Sequence, residues 1–167
     1  MSARVVVAGI GNVFLGDDGF GVEVAGRLAD RPLPDGVVVL DIGVRALHLA
    51  FELLDRPGLL LVVDAVDRGE RPGTVTLIEP SLDAAAADAG GAGGVADAHS
   101  MNLTTVLTTV RNLGGQMPPV LLVGCQPEFI GERMGLSPTV LGAVPGAVAL
   151  VESTIARLID SKEETAP

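Results

Sequence analysis

The sequence predicts an α/β fold: a three-layer α/β/α domain with a mostly parallel twisted sheet and one antiparallel strand. Three observations predict it. Continuous apolar runs of strand length recur along the chain, several of them end at glycine or aspartate, and segments of helical periodicity alternate with them. At 167 residues and 48% hydrophobic content, the chain has the size of one compact domain with a full core. Residues 1–160 are assigned to that domain and 161–167 to a frayed charged tail.

The elements follow in order. Val5 to Ala8 reads as a central parallel strand that runs into Gly9-Ile10-Gly11-Asn12 and then Asp17-Asp18-Gly19-Phe20-Gly21. Val22, Ala25 and Leu28 recur at helical spacing until Arg31-Pro32. Pro34-Asp35-Gly36 is a turn, and Val37 to Leu40 reads as a second buried strand that ends at Asp41. Ala46 to Leu54 is helical and stops at Pro57-Gly58. Leu59 to Val63 is a third buried strand, and Asp64 follows it.

Beyond the Arg71-Pro72-Gly73 turn, Thr74 to Ile78 alternates polar and apolar residues, as an edge strand does. Its link to the preceding strand is too short for a helical crossover, so it is expected to run antiparallel. Ser81 to Ala98 is a tract of Ala, Gly and Asp, long for a loop in a compact domain. His99 opens a helical pattern that stops at Gly114-Gly115. Val120 to Val123 is the last central strand. Ser137-Pro138 supplies a cap and a first-turn proline for a helix to about Ile159, with Pro145 as a kink or break.

Composition narrows the function. Aromatic residues make up 2% with no Trp or Tyr, and 11 basic residues face 21 acidic ones for a net charge of −10. A protein that tracks phosphates or stacks bases would show the opposite balance, so nucleic acid is not an expected partner. Cys125 is the sole cysteine, which excludes an internal disulfide and favours a reducing cytoplasm. The N-terminal apolar run is too short for a signal sequence, and no segment reaches the roughly 20 apolar residues of a membrane span. A cytoplasmic protein without membrane contact is expected.

The chemistry lies at the strand ends. Asp17 and Asp18 follow the first strand, Asp41 ends the second, Asp64 ends the third, and His99 begins a helix. In a parallel sheet these ends share one edge, where ligands of α/β proteins bind. Carboxylates with one imidazole suit a divalent transition metal. Each residue also has a plain reading. Asp17 or Asp18 could cap the next helix, Asp64 could start a turn, and His99 could cap or pack. His48 sits in an apolar helix stripe and Cys125 in an apolar run, and both read as packing residues. A dinucleotide fingerprint would need glycine at position 14, where Phe14 stands. A nucleotide-binding or nucleoside-cleaving enzyme would also need a phosphate cradle or base-stacking aromatics.

Four motifs in order resemble the [NiFe]-hydrogenase maturation endopeptidases. They are the Gly9–Gly21 stretch, Val63-Asp64-Ala65-Val66 with Pro72-Gly73-Thr74, His99, and Gly135-Leu136-Ser137-Pro138-Thr139-Val140. The resemblance runs from Val5 to about Leu150. It implies an α/β/α fold and a hydrolase, metal-assisted or aspartyl protease-like in its chemistry, that clips a C-terminal extension from the hydrogenase large-subunit precursor once nickel is inserted. It implies that Asp18, Asp64 and His99 contact the metal, and that the nickel is carried by the substrate, with no tightly bound organic cofactor. Family members often carry Asp-Gly-Gly-Thr, tied to substrate recognition, where this chain has Asp41-Ile42-Gly43-Val44 and so keeps Asp41 and Gly43. Asp17 is then the spare carboxylate for a general base, and the glycines are expected to leave room for a partner's backbone. A non-enzymatic nickel-checking chaperone would use the same ligands and stands as the alternative.

Overall fold

The structure, a computed structural model, describes residues 5–80 and 96–165, with the side chains of 96–102 outside that description. Its strands are β1 (Val5–Ile10), β2 (Val37–Gly43), β3 (Leu59–Ala65), β4 (Val75–Ile78) and β5 (Val120–Cys125). Its α-helices are α1 (Phe20–Ala29), α2 (Ala46–Leu53), α3 (Ala96–Asn112) and α4 (Pro138–Glu164), and a 3-10 turn spans Gly16–Gly19. Together they form the expected α/β/α architecture. The sheet order is β2-β1-β3-β5-β4, parallel except for β4 against β5.

Each face of the sheet carries its own core. Val5, Val7, Leu61 and Val63 pack with Phe20, Val24 and Leu28 of α1 and with Val140, Val144, Val151 and Ile155 of α4. Val6, Ala8, Leu60 and Val62 pack on the other face with Leu49 and Leu53 of α2 and with Leu103, Val106 and Val110 of α3. The alternation of side chains along β1 and β3 feeds both cores, which is why these strands are apolar throughout.

Several expectations are corrected. β4 is antiparallel, but it pairs with β5, not with β3, its predecessor in sequence. β5 lies between them because the short link carries the chain past one strand position to the sheet edge. β2 is the opposite edge strand and only partly buried, with Val38 at 39% exposure, because no strand among the described residues covers its far side. His48 is exposed and lies 3.6 Å from Glu52 one turn on, outside the apolar stripe.

α4 passes through Pro145 without a break and continues to Glu164. Pro145 lies on its solvent side, where a carbonyl deprived of its N–H partner can meet water. By length and composition α4 is apolar enough to cross a membrane, contrary to the sequence expectation. Its buried stripe packs into the first core, as a core helix does. The Ala/Gly/Asp tract lies outside the described residues from 81 to 95, and α3 begins at Ala96, ahead of His99.

Candidate active site

The strand registers bring the predicted positions to one edge. Gly9 of β1 is level with Asp41 of β2 on one side and with Val63 of β3 on the other, and Asp64 is level with Gly124 of β5. Asp64 is buried, at 1% exposure, at the carboxyl end of the central strand. Asp18 is half-buried, and its Oδ2 accepts the N–H of Asn12 at 2.9 Å. Asp41 is exposed, and Gly43 stands beside it at a φ of 58°.

His99 lies in the first turn of α3, four residues before Leu103. Leu103 and Val106 line a small apolar niche with Ile10, Ile42 and Gly43, so this part of α3 lies against the ends of β1 and β2. The His99 side chain is outside the described residues. Among the described residues, a set that lacks that imidazole, no three metal-capable side chains cluster.

The glycines of the first loop are there for the chain's own backbone. A Cβ on Gly21 would lie 2.1 Å from the carbonyl oxygen of Val63 and 2.4 Å from that of Ile10. Gly11, at a φ of 134°, would place a Cβ 1.8 Å from the carbonyl oxygen of Asp18. These contacts seat the 3-10 turn against the ends of β1 and β3, and they replace the expectation of space reserved for a partner.

Asp17 and Asp18 are adjacent in this turn and have different surroundings. Neither side chain caps α1, whose N-cap is Gly19. Asp17 is fully buried. Its Oδ2 accepts the N–H groups of Glu128 and Phe129 and the hydroxyl of Ser137, each at 2.9 Å, and its Oδ1 accepts the Ser137 N–H at 2.7 Å. Burial alone would raise its carboxyl, but the backbone N–H groups of Phe129, Ser137 and Glu128 and the Ser137 hydroxyl outweigh it and hold the group below the ordinary aspartate range. A carboxylate so saturated and so acidic is a poor proton acceptor, which corrects the expectation that Asp17 is the spare general base.

Ser137 and Gln126 complete the frame. Ser137 both caps α4, accepting the Val140 N–H at 3.4 Å, and bonds Asp17. Gln126, at 7% exposure, holds the turn that follows β3. Its Oε1 accepts the N–H groups of Arg68 at 2.7 Å and Glu70 at 3.2 Å, while its Nε2 donates to Asp67 at 2.9 Å. The Ser137 cap was expected from the Ser137-Pro138 pair, but its bond to Asp17 was not, and Gln126 carried no signal beyond its position just after a strand.

Cys125 is fully buried, and its thiol is pushed up to about 12 by burial and by the charge of Asp17. It is a packing residue and not a nucleophile at neutral pH. A cleft of about 410 Å³ opens beside the first loop, lined by Val13, Gly16, Gly19, Met134 and Leu136 among others, and none of Asp18, Asp41 or Asp64 lines it.

Fold and edge together define a class: an α/β domain with carboxylates at the carboxyl ends of neighbouring parallel strands, the edge at which such folds bind ligands. Comparison with known proteins narrows it. The family model described as hydrogenase maturation protease matches residues 22–154. The hydrogenase 2 maturation protease of Escherichia coli is 30% identical over 169 residues, covering 98% of this chain and 96% of its own. The hydrogenase expression/formation protein HupD of Rhodobacter capsulatus is 37% identical over 149 residues, covering 87% of this chain and 68% of its own. Among solved structures, the hydrogenase maturating endopeptidase HybD from E. coli superposes with a TM-score of 0.75 at 29% identity, covering 92% of this chain and 93% of its own. The chain belongs to the hydrogenase maturation protease family. It is a hydrolase that cuts peptide bonds, and this decides against the non-enzymatic alternative.

Proposed function

We propose that this endopeptidase acts in the cytoplasm on the precursor of a [NiFe]-hydrogenase large subunit. It would remove the C-terminal extension after nickel has been inserted. The observation that carries the reading is the shared sheet edge. Asp41 and Asp64 stand at the carboxyl ends of β2 and β3, Asp18 lies in the 3-10 turn that follows β1, and His99 lies in the first turn of α3. In this reading the nickel arrives as part of the substrate. Asp18, Asp64 and His99 complete its coordination, so docking is productive only when the metal is present. Asp41 and Gly43, on the accessible edge strand, contact the precursor.

The chemistry is hydrolysis of one peptide bond. A water oxygen adds to the scissile carbonyl carbon and gives its proton to a carboxylate of the Asp18–Asp64 pair. That proton passes to the departing nitrogen as the C–N bond breaks. Asp17 takes no part in this transfer; its role is to hold the loop that carries Asp18.

The test is incubation with nickel-loaded and nickel-free precursor, followed by intact mass. Loss of the C-terminal extension is expected from the loaded form only. Equal cleavage of both forms would remove metal sensing from the reading. His99→Ala should abolish processing while the melting profile is unchanged; continued processing would exclude His99 from the site.

A further inference from the structure

Two loops of the carboxyl edge are fastened to one segment, residues 126–137. At its start, Gln126 binds the turn after β3 from both sides of its amide, and its backbone adds two more bonds, accepting from the Gly73 N–H and donating to the Thr74 carbonyl, each at 2.9 Å. Further along, Glu128, Phe129 and Ser137 grip the buried Asp17. Between them runs a backbone ladder: Asp17 N–H to Phe129, Gly16 N–H to Arg133, and Arg133 N–H to Phe14. The strand end that carries Asp64 and the turn that carries Asp18 are therefore referenced to the same piece of chain.

We propose that Gln126 is a positioning residue that sets the turn after Asp64 against the Asp17-anchored loop of Asp18. The inference rests on the reading of Asp18 and Asp64 as the reactive pair. An amide is the group this place requires. One oxygen must accept two backbone N–H groups, and a donor must face the Asp67 carboxylate, which itself holds the Gly69 N–H at 3.1 Å. Glutamate would set two carboxylates against each other. Leucine would leave the Arg68 and Glu70 N–H groups without their buried acceptor. Gln126 acts through the turn it holds, at Asp67, Arg68 and Glu70.

Two variants test this: Gln126→Leu and Gln126→Glu. The readouts are the single-turnover cleavage rate at saturating nickel-loaded precursor and the apparent KM. Both are taken at a temperature where circular dichroism shows each variant fully folded. Outer-layer supports of reacting groups commonly change activity by about 10–100-fold. Both variants should slow cleavage by about tenfold or more with KM unchanged, a split that a general loss of folding would not give. Folded single variants that cleave at the parent rate would overturn the proposal. So would variants that raise KM and leave the saturated rate unchanged. Asp64→Ala, run alongside, separates the two layers. If it cleaves normally, the assignment of Asp64 fails; if it is inactive while Gln126→Leu is fully active, the positioning role alone fails.

Discussion

At the carboxyl end of β1 the chain is locked, and at the carboxyl end of β2 it is open. The β1 loop packs backbone on backbone at Gly11 and Gly21 and buries a carboxylate with four hydrogen bonds at Asp17. At β2, Asp41 is exposed, Val44 is 68% exposed, and the bend is held by the guanidinium of Arg45 donating to the carbonyls of Asp41 and Ile42. One bond from the Gly11 N–H to the Gly43 carbonyl, at 2.9 Å, joins the two. A carboxylate that must meet a metal or a proton at a set distance needs the first kind of support. A residue that reads a partner's surface needs the second kind of access.

This contrast can be broken most readily at Asp17. Replacing it by Ala leaves three N–H groups and a hydroxyl facing an empty space, and the loss of one member of such a buried charged network costs about 3–5 kcal/mol. A fall in Tm on the order of 10 °C follows for a chain of this size. A Tm unchanged within error would mean that the loop is held by its backbone ladder alone.

A second effect sharpens the same point through acid stability. The folded Asp17 carboxyl is held below its ordinary value of 3.8. Its contribution is therefore complete above about pH 4 and is lost as pH falls through the lower folded value, where the native state must take up a proton. Urea titrations from pH 6 down to pH 2 should show a drop in this window that Asp17→Asn lacks. A parallel drop in both proteins would assign acid sensitivity to other carboxylates.

The smallest structural effect belongs to the open end. Asp41→Ala should change stability by no more than about 0.5 kcal/mol, as exposed substitutions do. It should raise KM for the precursor severalfold and leave the rate at saturation unchanged. A fall in the saturated rate with KM unchanged would move Asp41 from recognition to chemistry.

The sequence made some of this legible and hid the rest for definable reasons. The apolar runs of β1, β3 and β5 announced central strands because burial on both faces leaves no polar position. The shared edge of Asp18, Asp41 and Asp64 followed from parallel strands alone. The pairing of β4 was hidden, since alternation at Val75–Ile78 reports one wet face and not which strand lies alongside. The division of labour between Asp17 and Asp18 was hidden too. It depends on Glu128, Phe129 and Ser137, more than a hundred residues away, and adjacent identical letters carry no trace of that. Gln126 was missed for the same reason, because its partners lie in a turn about sixty residues earlier.

Cys125 has a practical corollary. The chain's single thiol is walled off in the core and stays protonated well into the alkaline range, pushed up to about 12. Thiol reagents added to a mixture of this protease and another protein at neutral pH will count the other protein's cysteines only. The protease is silent in that channel, so the thiols of another protein can be counted in its presence.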